Sequence, residues 1–415
     1  YNHMSYEESG HTTTNGALSK FRILDLTRVW AGPLGTRALG DLGADVIKIS
    51  DPRIPLDSSA RVNNKLNRNK RNIGLRLDTE EGRNIFLDLV SLSDAVIENF
   101  RPRVMRNLDL TYETLRSVNP TILMCSMPGF GIKGPYSEYP AFGSTAEAVA
   151  GIVSMIGYDS DRPLQTGLSY ADPISGLNVV WSVVSYARRR ARKGIGCHIE
   201  MPLSESPLGV VGEYVTASSQ GVSMPQINGN KSQYFCPHGA YQALGEDKWV
   251  ALSVTSDDEW VSLKSVILEK ELQNAEYDDF TVRKSAEKRI DAIIADWTQS
   301  RNPDDIVELL QKVGVPAGKV ANNLELLTNQ HLQKRDYFVE LEEEKWGLQK
   351  YDWQSIDGNQ KPKNMWHSMR KVGEDNYLIL RELLGFTHSQ YEPVSYTHLR
   401  AHETEADLVC RLLLE

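Results

Sequence analysis

The stretch RILDLTRVWAGPLGTRALGDLGADVIKI, residues 22–49, decides the fold. Ile23 to Leu26 is a short apolar run and reads as a buried strand. TRVWAGP is a turn ending on Pro33, and proline suits the first position of a helix, where its missing N–H goes unused anyway. LGTRALGDL follows as the helix, with Gly43 as its C-terminal stop. Asp45 to Ile49 is the second strand. Strand, turn, helix and strand make a βαβ unit, which implies a parallel sheet covered by helices.

The pattern continues outward. Thr79 is placed to cap a helix whose first turn carries Glu80 and Glu81, matching the positive helix end. Ile85, Phe86, Leu89 and Leu92 then fall on one face. Asp94 to Glu98 reads as a strand, 111–118 as a helix, and Thr121 to Met127 as a further strand. AFGSTAEAVAGIVSMIG (141–157) reads as helical, and a long helix is expected from Pro173 to about Arg192. The alternation supports an α/β fold with a parallel sheet. At MPQINGNKSQYFCP (224–237) the chain turns polar and rich in turn formers, which marks a domain boundary. The expected organisation is a lead-in without structure over 1–17, a large domain over 18–224, and a smaller α+β domain over 225–330. Residues 331–393 would return to complete the large domain, mostly extended, with a short helix at NYLILRELLG.

Composition narrows the class. The chain has 415 residues, 40% hydrophobic and 24% charged, as expected of a globular enzyme with more than one domain. A net charge of -9 argues against a nucleic-acid partner, because phosphate binding needs a basic surface. The four cysteines stand at 125, 197, 236 and 410, without metal-ligand spacing, so neither a metal site nor a disulfide framework is expected. A reducing, cytoplasmic location fits that usage. No apolar run approaches the roughly 20 residues of a membrane helix. The polar N-terminus lacks the apolar stretch of a signal peptide.

Chemistry is less legible. The turn TRVWAGPLG has only Gly32 and Gly35, so it is neither a dinucleotide fingerprint nor a Walker A loop. No G-x-S-x-G elbow occurs. Basic residues cluster at NRNKR (67–71) and at FRPRVMR (100–106). The second cluster follows a strand, where ligands of α/β sheets bind, so Arg101, Arg103 and Arg106 are candidates for a phosphate-rich ligand. Taken alone, the clusters read better as solvated surface arginines. Asp172, in QTGLSYADPISG, precedes Pro173 and the long helix. Its local reading is a helix N-cap with proline at N1. His238 and Cys236 read as structural.

Taken together, seven segments resemble CoA-transferase family III, which includes formyl-CoA transferase and the carnitine CoA-transferases. They are residues 22–49, NRNKRNIGL (67–75), VIENFRP (96–102), SMPGFGIKGPY (126–136), ADPISG (171–176), VPAGKV (315–320) and GEDNYLILRELLG (373–385). The resemblance spans about 18 to 390 and implies a Rossmann-like large domain, a small domain and an interlocked homodimer. It implies that Asp172 is the catalytic aspartate. It further places Val29, Ala31, Leu75, Asn99, Phe100 and Arg101 at the coenzyme A site, with Arg106 standing in for a family arginine at Asn107. The implied activity moves CoA from an acyl-CoA thioester to a small carboxylic acid through an aspartyl-CoA intermediate. The thioester is then substrate, and no cofactor is permanently bound.

The resemblance has departures. Asp78 stands at a frequent lysine, and Ser50 replaces a common glutamate. Trp30 stands where formyl-CoA transferase has glutamine, Gly143 where it has glutamate. That enzyme's glycine-rich loop has no counterpart near Asn228 to Gly239. These differences argue against formate or oxalate as substrate, and Trp30 would narrow the acyl site or give it an apolar wall. A racemase of α-methylacyl-CoA is the rival chemistry, but it needs a histidine where this chain has Phe142. A non-catalytic CoA-thioester-binding protein is the other alternative. The tail VSYTHLRAHETEADLVCRLLLE (394–415) does not continue the family pattern and resembles translated vector sequence, so it is set aside as non-native.

Overall fold

The computed structural model describes residues 16–54, 61–158, 162–222, 227–352 and 366–397. The chain forms two compact units, one of 1–153, 165–223 and 336–415 and the other of 154–164 and 224–335. Among the described residues, no helix is long and apolar enough to cross a membrane.

The first unit is built on a six-stranded sheet. Its strands are β1 (Arg22–Asp25), β2 (Asp45–Ser50), β3 (Lys70–Gly74), β4 (Ala95–Glu98), β5 (Leu123–Ser126) and β6 (Cys197–Glu200). The order is β3-β2-β1-β4-β5-β6, and every neighbouring pair is parallel. That is the doubly wound arrangement, in which the chain reverses direction across the sheet between β1 and β4. Strand residues alternate between two cores. Leu24, Ile47, Val96 and Met124 pack on one face with Ile85, Phe86 and Leu89, and Ile23, Val46, Ile97 and Leu123 pack on the other with Leu39, Val179 and Val183.

The helices of this unit are α1 (Ala31–Asp41), α2 (Arg61–Asn67), α3 (Glu80–Ser91), α4 (Pro102–Asn107), α5 (Tyr112–Val118), α6 (Gly143–Val149) and α7 (Ala171–Lys193). Thr79 caps α3 as expected, its side chain accepting from the Gly82 amide. α7 ends on Gly194 at φ 64, the left-handed stop that glycine takes without strain. The helix expected over 141–157 is shorter than its composition suggests. α6 stops at Val149, because Gly151 turns left-handed at φ 85.

The basic stretch NRNKR is corrected more substantially. It is not solvated surface. Lys70 begins β3, and Arg68 and Lys70 are both fully buried. Arg68 donates to Asp41 at 2.8 Å and to the Asp352 carbonyl at 2.8 Å, and its guanidinium lies 4.2 Å from the Trp366 ring centroid. Asp352 ends the antiparallel hairpin of β10 (Phe338–Glu343) and β11 (Gly347–Asp352), so this return segment is paired strand where extended, irregular chain was expected. Further on, Asp375 accepts from the Asn72 amide at 2.7 Å and Asn376 from the Gly74 amide at 3.0 Å. The GEDN segment thus satisfies donors of the edge strand β3.

The second unit has an antiparallel sheet ordered β7 (His238–Gln242), β8 (Trp249–Ser253), β9 (Ala317–Lys319). Trp260, Leu263, Ile290, Ile294, Ile306 and Leu310 form its core with Val250 and Leu252. Cys236 is buried, and His238 Nδ1 bonds Ser253 Oγ at 2.9 Å. The expected lead-in lies outside the described residues up to 15, and the tail set aside as non-native lies outside them beyond 397. Val394, within that tail, is buried against the first core.

A buried charge network organises the end of β1. The Asp25 carboxylate, with no exposure, accepts from the Thr27 amide (2.8 Å), the Thr27 and Thr36 hydroxyls (2.6 and 2.8 Å) and Lys70 Nζ (2.9 Å). Lys48 Nζ stands 3.6 Å away and donates to the Thr27 carbonyl. Burial alone would raise the Asp25 pKa, but Lys48 and Lys70 outweigh it and hold the carboxyl well below its ordinary value. Removing it would strand two buried ammonium groups. We expect Asp25→Ala to cost about 3–5 kcal/mol in denaturant unfolding; a loss under about 1 kcal/mol would show that the lysines find other partners.

Candidate active site

Two turns meet where β1 and β4 diverge. In open α/β sheets this is where ligands bind, beyond the carboxyl ends of the strands. The turn after β1 carries Arg28 and Val29, and the turn after β4 carries Asn99 and Phe100. Asn99 joins them: its Oδ1 accepts from the Arg28 amide at 2.8 Å, and its Nδ2 donates to the Arg28 carbonyl at 2.8 Å. The Arg28 guanidinium lies 5.5 Å from the Phe100 ring centroid. Val29 has φ 68, a conformation that costs a β-branched residue. Asn99 and the Asp25 network around Thr27 hold that strained turn on both sides. A cavity of about 160 Å³ lies here, lined by Thr27, Arg28, Val29, Lys48, Ser50 and Asn67 among others.

Asp172 sits beside the start of α1. The local reading of it as an N-cap is corrected. Tyr170 is the N-cap, in helical conformation, and Asp172 lies inside the first turn of α7 with Pro173 after it. Its side chain is free to face the neighbouring helices. The approach is set by glycines. A Cβ on Gly35 would stand 2.9 Å from the Gly176 carbonyl, and one on Gly176 would stand 2.9 Å from the Ala31 carbonyl. The GP-x-G of α1 and the ISG of α7 are therefore a close helix crossing, and it brings Asp172 to Ala31.

Asp172 is 7% exposed, and its carboxyl is pushed up to about 6 from 3.8, chiefly by burial. The amides of Ala31 and Gly143 act on it as donors and pull the other way, while the charge of Glu147 adds to the rise. Ala31 and Gly143 are the first residues of α1 and α6, so three helix N-termini, counting that of α7, converge on one carboxylate. Gly143 admits no larger residue in this arrangement. A Cβ there would stand 2.0 Å from Asp172 Oδ2.

The remaining candidate residues fall into two groups. Val29, Ala31, Asn99 and Phe100 are brought together at the two turns. Leu75 follows β3 with its side chain in the core and its amide donating to the Ser50 carbonyl at 2.8 Å. Arg101 is the N-cap of α4, and Arg106, in the last turn of that helix, is exposed and paired with Glu138 at 2.5 Å. Asp78, at a frequent family lysine, pairs with Arg53 at 3.0 Å and Arg76 at 3.2 Å.

Several groups at this end of the sheet went unread in the sequence. Glu98, at the end of β4, is buried and pushed up to about 7 by desolvation, against hydrogen bonds from Ser126 and the Phe100 amide (2.8 Å). It fixes the start of the Asn99–Phe100 turn. Glu147 is fully buried on α6. The signal for it was present, since a glutamate one turn after Gly143, on a face with Ala146 and Ala150, is a charge on a buried stripe.

Residues 18–376 match the sequence pattern of CoA-transferase family III. The chain belongs to CoA-transferase family III and is a CoA-transferase, acting between acyl-CoA thioesters and carboxylic acids. It is 29% identical over 394 residues to the succinyl-CoA--L-malate CoA-transferase beta subunit of Chloroflexus aurantiacus, covering 91% of this chain and 97% of that one. It is 29% identical over 345 residues to the succinyl-CoA:mesaconate CoA-transferase of Haloarcula marismortui, covering 79% and 86%. Among solved structures, a CAIB/BAIF family protein from Brucella suis superposes with a TM-score of 0.80 at 27% identity, over 89% of this chain and 100% of the other.

The contact between Gly143 and Asp172 makes one prediction. Gly143→Ala should push aside Asp172, the catalytic residue the family resemblance implies, and so lower acyl exchange by about 10²-fold, the cost of an ångström's misplacement of a catalytic group. Its melting temperature should change far less than its rate. A variant with parental steady-state rates would show that Asp172 need not hold this position.

Proposed function

We propose that this CoA-transferase works through Asp172 as a covalent nucleophile, with a small dicarboxylic acyl-CoA such as succinyl-CoA as donor. The observation that carries the reading is the buried carboxylate of Asp172, raised in pKa, facing the amides of Ala31 and Gly143 beside the Val29 turn. A raised pKa makes the carboxylate a better nucleophile, and at neutral pH it is still mostly ionised.

An Asp172 oxygen attacks the thioester carbonyl, the carbon–sulfur bond breaks, and CoA leaves as thiolate, giving a mixed anhydride. The thiolate then attacks the aspartyl carbonyl of that anhydride. The donor leaves as a free carboxylate, and Asp172 holds CoA as a thioester. An acceptor carboxylate attacks that thioester, and the same steps run in reverse. Each exchange replaces one activated acyl group by another, so the thioester free energy is retained. When the thiolate adds to the aspartyl carbonyl, the oxyanion forms on an oxygen of Asp172 itself. The Ala31 and Gly143 amides, which already favour the ionised form of that carboxylate, are the groups proposed to supply the stabilisation. Anhydride and thioester both hydrolyse, so the low exposure of Asp172 protects them.

Val29, Asn99, Phe100 and Arg101 are the residues proposed to meet coenzyme A, with Leu75 and Arg106 at its margin. Phe142, at the start of α6, carries no proton and gives the racemase reading no acid or base. The reading includes a homodimer in the cytoplasm.

Incubation with a panel of acyl-CoAs, quenched with hydroxylamine and followed by peptide mass spectrometry, tests it. An aspartyl hydroxamate on Asp172 is expected; a working exchange reaction with no adduct there would contradict it. The pKa of about 6 also sets two pH effects. Exchange should fall as pH drops through about 6, because protonated Asp172 is no nucleophile. The folded pKa lies above the unfolded value, so the ionised group costs stability at neutral pH, a cost relieved as pH falls through about 6. Asp172→Asn should therefore abolish exchange yet raise unfolding stability at neutral pH by up to about 3 kcal/mol. A destabilised Asn variant in a denaturant titration would contradict this.

A further inference from the structure

Glu147 has a duty that burial alone does not explain. It is fully buried on α6, one turn beyond the glycine that touches Asp172. Its Oε1 accepts from the Tyr170 amide at 2.6 Å and from the Thr166 hydroxyl. Its Oε2 is buried and has no hydrogen-bond partner. A carboxylate left half-satisfied in a core is costly and is kept only where something else gains.

What it holds is the approach to Asp172. Thr166 and Tyr170 bracket Gly167 at φ 77 and Ser169 at φ 46, two left-handed residues. Tyr170 is the N-cap of α7, and its side chain caps no amide of the first turn. Its own amide is bound instead by Glu147 from another helix. The Asp172 amide in turn donates to the Ser169 carbonyl at 2.9 Å. One carboxylate therefore clamps both ends of a strained loop whose last turn delivers Asp172. α6 does two things to the site: Gly143 leaves room for the carboxylate, and Glu147 ties down the chain that carries it.

We infer that Glu147 is a positioning residue for Asp172, tethering its loop through Thr166 and Tyr170. The inference rests on the reading of Asp172 as nucleophile. Among the described residues, Glu147 is the titratable group that acts on Asp172; the other influences are burial and the amides of Ala31 and Gly143.

Two substitutions separate tether from charge. Glu147→Gln keeps an oxygen for Tyr170 and Thr166 and removes the charge. Glu147→Asp keeps the charge and is too short to hold both donors. The readouts are the Asp172 titration midpoint, by carboxyl NMR of carbon-labelled aspartate assigned with Asp172→Asn, and the pH profile of succinyl-CoA exchange. Glu147→Gln should move both midpoints to lower pH and lower the plateau rate no more than about tenfold. Glu147→Asp should leave the midpoint near the parental one and lower kcat by about 10²-fold, with KM for succinyl-CoA little changed. An unmoved NMR midpoint in Glu147→Gln, or a parental kcat in Glu147→Asp, overturns the inference. A moved midpoint in a parent that yields no Asp172 hydroxamate would confirm the coupling and sink the nucleophile reading instead. Should the Gln variant not fold, Thr166→Val, which breaks one arm of the clamp and keeps the charge, must lower kcat without shifting the pH profile; an unchanged kcat would equally overturn it.

Discussion

The buried carboxylate of Asp25 is the constraint from which the site follows. It ends β1, holds the turn through Thr27, the first helix through Thr36, and β3 through Lys70. Lys48 of β2 completes the charge balance and grips the Thr27 carbonyl from the other side. Breaking such a network is costly, because the remaining charges are out of reach of water. The start of α1 is therefore rigid, and so is the amide of Ala31. A left-handed valine persists next door only because the chain on either side is fixed this firmly.

Onto that fixed edge the fold brings a second carboxylate by a different device. Gly35 and Gly176 let α1 and α7 cross closely, and Gly143 lets α6 abut the same point. Asp172 is left with three helix N-termini around it and almost no water. Burial raises its pKa, and the helix ends keep the rise from becoming protonation at neutral pH. The result is a carboxylate still largely ionised at neutral pH and shielded from water, the state that the proposed anhydride and thioester steps need. The two carboxylates thus have opposite fates. Asp25, matched by two ammonium groups, is held well below its ordinary pKa, while Asp172, matched by amide dipoles alone, is raised above its own.

The fold was legible because its signals are local. Ile23 to Leu26, Gly43, Thr79 and the run DAVIE each announce one element, and their alternation announces the sheet. The family resemblance, carried by short segments in order, supplied Asp172 where its local context suggested only a cap. What escaped reading depends on partners distant in sequence. Lys70 resembles a surface lysine until Asp25 is placed beside it in the sheet. The GEDN segment shows no purpose until the β3 edge it satisfies is in view. Gly143 reads as a departure from the family, yet in space it is the room that Asp172 occupies. Glu147 is one charge in an alanine-rich helix, and its loop lies about two dozen residues on.

Transfer through Asp172 makes a claim about where an oxygen goes. When an acceptor carboxylate attacks the aspartyl-CoA thioester, one of its oxygens becomes the bridge of the anhydride. When the thiolate then takes the acceptor's acyl group, that bridge oxygen stays with Asp172. A single turnover with acceptor carboxylate labelled in both oxygens by the heavy isotope should leave one labelled oxygen in the Asp172 peptide and one in the thioester product. A labelled thioester product with an unlabelled Asp172 peptide would contradict covalent catalysis by this residue.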